Sequence, residues 1–108
     1  MAIVYPNTKN FDELTAEGFW IADYYTDHCG PCKLLDVVLN SIVQENPEIN
    51  WAKCNMEPDN WDFMELHQVM GTPTLRFLLD GEEKGRMIGG FHSKDEVLAE
   101  ISRCMYGE

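Results

Sequence analysis

The stretch that decides the fold reads Asp27-His28-Cys29-Gly30-Pro31-Cys32-Lys33. An apolar run over residues 19–25 precedes it, and an amphipathic run over residues 34–43 follows it. The first run predicts a buried strand, and the second predicts a helix with one buried face. A Cys-x-x-Cys pair between a strand and a helix is typical of redox proteins, so the context favours thiol–disulfide chemistry.

The expected position of Cys29 at the start of a helix favours this chemistry. The first N–H groups of a helix lack partners within it and carry partial positive charge, so a sulfur there is favoured as thiolate. The thiolate is the nucleophile of disulfide exchange, and such a position can lower a cysteine pKa by one or more units from about 8.5. Pro31 suits the first helical turn. Cys29 and Cys32 share one helix face, where a disulfide can close without unwinding the helix.

The cysteine pair has two alternative uses besides redox chemistry, a structural zinc site and a structural disulfide. A structural zinc site normally needs two such pairs, whereas Cys54 and Cys104 stand alone. A structural disulfide seldom spans so few residues, because it restrains little chain entropy. Redox chemistry is therefore the favoured interpretation. Cys54 and Cys104 are expected to be small buried side chains, and the alternative is regulatory oxidation or dimerisation through Cys104.

Length and composition indicate a globular chain. With 108 residues, 44% of them hydrophobic, the sequence predicts a single domain over residues 1–108. The formal net charge of −11 argues against nucleic acid and anionic membranes as partners. No apolar run approaches the roughly 18 residues of a membrane span, and the N-terminus lacks a secretory pattern. We therefore expect a cytoplasmic protein, in which four cysteines are not a disulfide framework.

The rest of the chain alternates between strand and helix patterns. Strands are predicted at 3–5, 19–25, 49–56, 74–79 and 84–88, and helices at 10–18, after the cysteine pair, at 60–67 and from residue 93. The order β-α-β-α-β-α-β-β-α predicts an α/β fold, with a central mixed sheet, helices on both faces and an antiparallel edge after the Asp80-Gly81 turn. Asn10 and Ser93 each begin a capping-box pattern.

Two expectations concern side chains late in the chain. The helix over residues 60–67 should pack through Trp61, Met64 and Leu66. His67 and His92 have no evident partner in the pattern and are expected to be solvated.

The chain resembles the thioredoxin family over almost its whole length. The matching motifs are Asp23, Cys29-Gly30-Pro31-Cys32-Lys33, Ala52-Lys53, Gly71-Thr72-Pro73-Thr74, Gly81 and Gly89. The resemblance implies that Pro73 is cis and lies against the cysteine pair. It also implies that Thr72 offers its backbone to a substrate peptide, in a groove formed with Gly30, Pro31 and Gly89.

The resemblance also implies roles and partners. Cys29 would be the exposed attacking thiol and Cys32 the buried resolving one. Electrons would come from a thioredoxin reductase, the substrates would be disulfide-containing proteins, and the protein would act as a monomer. No metal and no organic cofactor are implied.

Asp23 lies in an otherwise apolar strand, where desolvation should raise the pKa of its carboxyl group. A carboxylate of this kind is a plausible proton acceptor for Cys32, through a water molecule. Lys53, in the strand that the family places beside it, could compensate the charge. Alternatively, Asp23 and Lys53 both lie near strand ends and reach solvent.

Three residues depart from the family pattern. His28 replaces the tryptophan that usually precedes the first cysteine, Tyr25 replaces a second tryptophan, and Val37 replaces a helix proline. These changes concern the surface that meets partners and not the thiol mechanism.

From the cysteine motif and the resemblance, we expect a protein-disulfide reductase. The alternatives are a thiol oxidase or isomerase tuned by His28, and a binding subunit that uses the fold without turnover.

Overall fold

The computed structural model describes residues 2–57 and 60–107. Its elements are β1 (Ile3–Val4), α1 (Phe11–Leu14), β2 (Phe19–Tyr25), α2 (Gly30–Glu45), β3 (Ile49–Asn55), α3 (Asp62–Leu66), β4 (Thr74–Leu79), β5 (Glu82–Ile88) and α4 (Lys94–Tyr106). Their order is the predicted one. The α/β class is therefore confirmed, and the observed bounds differ from the predicted ones mainly in the short helices α1 and α3.

The strands form one mixed sheet in the order β1-β3-β2-β4-β5. Strand β2 lies at the centre, parallel to β3 and antiparallel to β4. Its register places Asp23 beside Lys53 on one side and beside Leu75 on the other. Strand β2 has a neighbouring strand on each side and is buried along nearly its whole length. This position explains the apolar run from which a buried strand was predicted.

Two apolar clusters fill the two faces of the sheet. One contains Ile21 and Trp51 together with the buried side chains of α2 and α4. The other contains Tyr24, Cys54 and buried side chains of α1 and α3. Successive strand residues point to opposite faces, so Ile21 and Asp23 face α2 while Tyr24 faces away from it. Helices on both faces are confirmed.

The two predicted capping boxes differ in outcome. At Ser93 the hydroxyl accepts from the N–H of Glu96, and the Glu96 carboxylate accepts from the N–H of Ser93, so this box is confirmed. At Asn10 the prediction is wrong. The Asn10 side chain accepts from the N–H of Asn7 at 2.8 Å and makes no cap hydrogen bond to α1, because the preceding turn takes its oxygen.

The predicted packing of α3 is also corrected. Phe63 is the buried side chain of α3, whereas Trp61, Met64 and Leu66 are exposed. The helix is so short that a single side chain fills the space beneath it. Among the helices of residues 2–57 and 60–107, none is long and apolar enough to cross a membrane.

Neither histidine outside the motif is simply solvated. Nδ1 of His67 lies 2.6 Å from the hydroxyl of Tyr24, and burial lowers the pKa of His67 to about 4. Nε2 of His92 lies 3.0 Å from the carbonyl oxygen of Ile88. The expectation of solvation is therefore wrong for His67, whose partner lies in β2, 43 residues earlier in the sequence. His92 is partly exposed, and its partner lies only four residues earlier, at the end of β5.

Cys54 and Cys104 are both buried and free, as the sequence predicted. Burial raises the pKa of the Cys54 thiol well above its ordinary value, and it raises that of Cys104 to about 11. Both side chains therefore behave as small hydrophobic groups rather than as reactive thiols.

Candidate active site

The cysteine pair lies where β2 gives way to α2. Cys29 is the N-cap of α2, and its sulfur accepts a hydrogen bond from the N–H of Cys32 at 3.2 Å. The two cysteines are joined by a disulfide, with their Cα atoms 5.2 Å apart. Pro31 lies in the first turn, as its missing N–H allows. A sulfur that accepts an N–H at a helix start is favoured as thiolate once the disulfide is reduced.

The two sulfur-bearing residues differ in exposure. Cys29 is half-buried, whereas only 7% of the Cys32 surface is exposed. Cys32 lines an open cavity of about 230 Å³ whose walls also include Asp23, Asp36 and Lys53. The structure therefore brings Asp23 and Cys32 to one cavity beside the disulfide.

Asp23 is deeply buried, with 4% of its surface exposed, so it does not reach solvent at a strand end. Burial raises the pKa of its carboxyl group from 3.8 to about 7. A hydrogen bond from the indole N–H of Trp51 to Oδ2, at 3.2 Å, opposes this effect, as does the charge of Lys53, while Asp36 adds to it. The carboxyl group can therefore exchange a proton near neutral pH.

Lys53 lies in the predicted strand but pairs with a different carboxylate. Its Nζ is 3.4 Å from Oδ1 of Asp36, and no ion pair between Lys53 and Asp23 occurs among residues 2–57 and 60–107. The same Nζ lies 4.5 Å from the centre of the Trp51 ring. Lys53 therefore acts on Asp23 at longer range than a salt bridge.

The Thr72–Pro73 peptide bond is cis, as the resemblance implied. Pro73 is buried, and its carbonyl oxygen accepts from the N–H of Gly89 at 3.0 Å. The backbone of Thr72 makes no hydrogen bond within the described parts of the chain. This segment therefore presents an unpaired backbone next to Gly89, whose positive φ of 91° suits glycine.

Gly90 is a site residue that sequence reasoning missed. It is buried against Pro31, close enough that an added Cβ would fall 2.5 Å from the Pro31 oxygen. The two residues are far apart in sequence, and no local pattern signals the contact. The available hint was that Gly89 and Gly90 are consecutive in the sequence, because two adjacent glycines often mark a close backbone approach.

Three exposed apolar side chains that flank Gly71, Gly89 and Gly90 in the sequence were missed as well. Met70, Ile88 and Phe91 are 87%, 73% and 81% exposed, an unusual degree for such side chains. His28 is also exposed, at the motif itself. Within the described residues, no group of three or more His, Cys, Asp or Glu side chains could hold a metal ion.

The two other departures lie in different elements, Val37 in α2 and Tyr25 at the end of β2. Val37 is 71% exposed, and α2 continues unbroken through it. Tyr25 is partly buried near Lys53, and burial raises its pKa to about 12. Of the three departures, only His28 is adjacent in sequence to a cysteine of the redox-active pair.

Comparison with known proteins agrees with this site. The thioredoxin family model matches residues 2–103. The thioredoxin of Bacillus subtilis is 35% identical over 102 residues, which cover 94% of this chain and 95% of that protein. The thioredoxin of Chlamydia trachomatis is 32% identical over 88% of this chain and 91% of its own length.

Solved structures show the same fold. A mutant thioredoxin from Halobacterium salinarum has a TM-score of 0.79 and 28% identity, over 99% of this chain and 90% of that one. Mitochondrial thioredoxin 3 from Saccharomyces cerevisiae has a TM-score of 0.80 and 24% identity, over 94% and 93%. The chain therefore belongs to the thioredoxin family, and it is a protein-disulfide reductase that works by dithiol–disulfide exchange at Cys29 and Cys32.

Proposed function

We propose that Cys29 attacks the substrate disulfide and that Cys32 resolves the intermediate. The Cys29 thiolate forms a bond to one substrate sulfur, and the other substrate sulfur leaves as a thiolate that takes up a proton. Cys32 then loses its proton and attacks Cys29, which forms the Cys29–Cys32 disulfide and releases the second substrate thiolate. Two electrons pass from the protein to the substrate. The greater exposure of Cys29 supports this division of roles.

Asp23 accepts the proton of Cys32 in this scheme, through a water molecule. The observation that carries the assignment is that Asp23 and Cys32 line the same cavity while Asp23 is otherwise buried. A pKa of about 7 suits the carboxyl group to take up and return a proton near neutrality. Lys53 and its partner Asp36 provide electrostatic support from the cavity wall.

The substrate peptide lies in extended form along Thr72 and Pro73. The unpaired backbone of Thr72 supplies hydrogen bonds that do not depend on substrate sequence. Gly30, Pro31 and Gly89 form the rest of the groove, and their small or rigid shape lets a backbone approach the sulfurs. His28 lies at the border of this groove, where it contributes charge and influences which partners bind.

The remaining parts of the proposal are carried over from the membership of this chain in the thioredoxin family. Residues 1–108 act as one domain and as a monomer in the cytoplasm, on disulfide-containing proteins, with electrons from a thioredoxin reductase. No metal or organic cofactor takes part. The high negative charge supports protein partners rather than nucleic acid or anionic membranes. Sedimentation of the reduced protein tests the monomer, and a sedimenting dimer would contradict it.

The experiment that tests Asp23 isolates the resolving step. A mixed disulfide is formed between Cys29 and a small aromatic thiol, and its release is followed by absorbance against pH. Asp23→Asn should slow release most near neutral pH, by about a hundredfold, the lower end of the usual contribution of a general base. Cys29 alkylation should stay within about twofold, because the attacking thiol is unchanged. Release that is unchanged at all pH values would rule out Asp23 as the acceptor.

A further inference from the structure

Trp51 lies between two charged groups of the site. Strand β3 runs parallel to β2 with Trp51 beside Ile21 and Lys53 beside Asp23, so all four side chains share the sheet face that α2 covers. The indole is 2% exposed. A buried indole N–H needs an acceptor, and here that acceptor is Oδ2 of Asp23 at 3.2 Å.

The hydrogen bond distinguishes the two oxygens of Asp23. Oδ2 accepts from Trp51, whereas no group in the described parts of the chain donates to Oδ1. Asp23 also lines the cavity that Cys32 lines. Oδ1 is therefore the oxygen that remains available for a proton from the cavity.

Lys53 also contacts the Trp51 ring. Its Nζ lies 4.5 Å from the ring centre, within the range of a cation–π contact. A cation over an indole polarises it and makes its N–H a better donor to a carboxylate. The ammonium group of Lys53 thus contacts Trp51 as well as its ion-pair partner Asp36.

We propose that Trp51 is a positioning residue for the resolving step: its indole N–H holds Oδ2 of Asp23, so that Oδ1 receives the proton of Cys32. This inference rests on the proposed role of Asp23 as proton acceptor. The hydrogen bond also favours the ionised carboxylate, so the carboxyl group can still accept a proton at neutral pH. A tryptophan that only filled the core would do neither.

Several titratable and charged groups face Asp23 and enter any pH profile. They are Cys32, Lys33 and Asp36 from α2, Lys53 from β3, and Tyr25 and Asp27 at the end of β2 and just beyond it. The test therefore compares variants that leave all of these groups in place.

Trp51→Phe removes the N–H and keeps an aromatic ring. Trp20→Phe is the matched control, because the Trp20 indole is also buried and donates at 2.8 Å, but to the carbonyl oxygen of Glu17. The Asp23 carboxyl resonance is titrated by NMR in both, and release of the mixed disulfide is measured against pH. Trp51→Phe should move the titration midpoint upward by about one unit, and the rate profile by the same amount. Trp20→Phe should move neither.

The wild-type protein provides a measurement that does not depend on how a variant folds. The indole N–H resonance of Trp51 should shift with the titration of Asp23, and this shift should vanish in Asp23→Asn. The Trp20 resonance should not shift with Asp23. A Trp51 resonance that ignores the Asp23 titration would overturn the proposal.

Failure of this inference can be told apart from failure of Asp23 as acceptor. If Asp23→Asn changes the release profile but Trp51→Phe leaves it at the wild-type position, only the role of Trp51 is overturned. If Asp23→Asn itself leaves the profile unchanged, the role of Asp23 fails. The role of Trp51 in the reaction then fails with it, even when its hydrogen bond is confirmed by NMR.

Discussion

Gly90 lies so close to Pro31 that no larger residue fits at position 90. A Cβ atom at residue 90 would fall 2.5 Å from the Pro31 oxygen and 2.7 Å from the Pro31 Cβ. Both distances are shorter than van der Waals contact, so one backbone would have to move. The loop after β5 therefore restrains the turn that separates Cys29 from Cys32.

Gly90→Ala should displace the Pro31 turn and destabilise the protein. Overpacking of this kind typically costs about 1–3 kcal/mol of unfolding free energy. Disulfide reduction should also slow, because the cysteine pair moves with the turn. Gly71→Ala is the control, since a Cβ there meets no atom within 4 Å and the backbone has no positive φ. Urea unfolding checks both, and equal stability of the two variants would contradict the steric argument.

The stability of the oxidised protein should depend on pH through Asp23. Its pKa is raised from 3.8 to about 7, so between these values the folded protein holds a proton that the unfolded chain has released. Stability from this group therefore falls as pH rises through that window, and the penalty is complete above the folded value.

Asp23→Asn should remove this penalty. The variant should gain stability over the parent as pH rises from about 4 to about 8, by up to about 4 kcal/mol for a shift of roughly three units. Glu48→Gln is the control, because it removes an exposed carboxylate that does not line the cavity of Asp23. Urea unfolding across this pH range measures the difference. A stability difference between Asp23→Asn and the parent that is constant with pH would contradict the buried carboxyl group.

Alkylation of the reduced protein should distinguish the four cysteines. Cys29 should react first, while Cys54 and Cys104 should react only in denaturant, because both are buried and the pKa of each thiol is raised. Peptide mass spectrometry after a short reaction with iodoacetamide gives the order. Rapid labelling of Cys104 in the folded protein would instead support regulatory oxidation at that residue.

His28 should affect the reactivity of Cys29 through its charge. A protonated imidazole next to the sulfur favours the thiolate, but the side chain is exposed, so solvent screens the effect. The wild type should be alkylated faster than His28→Gln or His28→Trp, by less than about fivefold. Superimposable rate profiles of the three proteins would leave His28 as a residue of partner recognition alone.

The sequence predicted the order of elements because their periods are distinct. The apolar run of β2, the stripe on α2 and the turn at Gly81 each favour one structure strongly. The cysteine motif and Pro73 then located the site within this order of helices and strands. Asp23 was identified largely from the resemblance, and a carboxylate in an apolar strand is also chemically unusual.

The rest depends on contacts between elements, which no local pattern records. The pairing of Lys53 with Asp36 depends on how α2 lies over β3, and the contact between Gly90 and Pro31 depends on how a loop meets α2. Trp51 had one usable signal, since alternation places it on the same face as Lys53. Its hydrogen bond to Asp23 depends on a diagonal position across two strands.

The central claim, that Cys29 attacks and Cys32 resolves, is tested most directly by trapping the mixed disulfide. Cys32→Ser and Cys29→Ser are each reduced, mixed with insulin, and analysed by intact and peptide mass spectrometry. We expect Cys32→Ser to accumulate an insulin chain bound through Cys29, while Cys29→Ser should form no such adduct on the same timescale. An adduct on Cys32 in Cys29→Ser, formed as fast as the Cys29 adduct, would contradict the account.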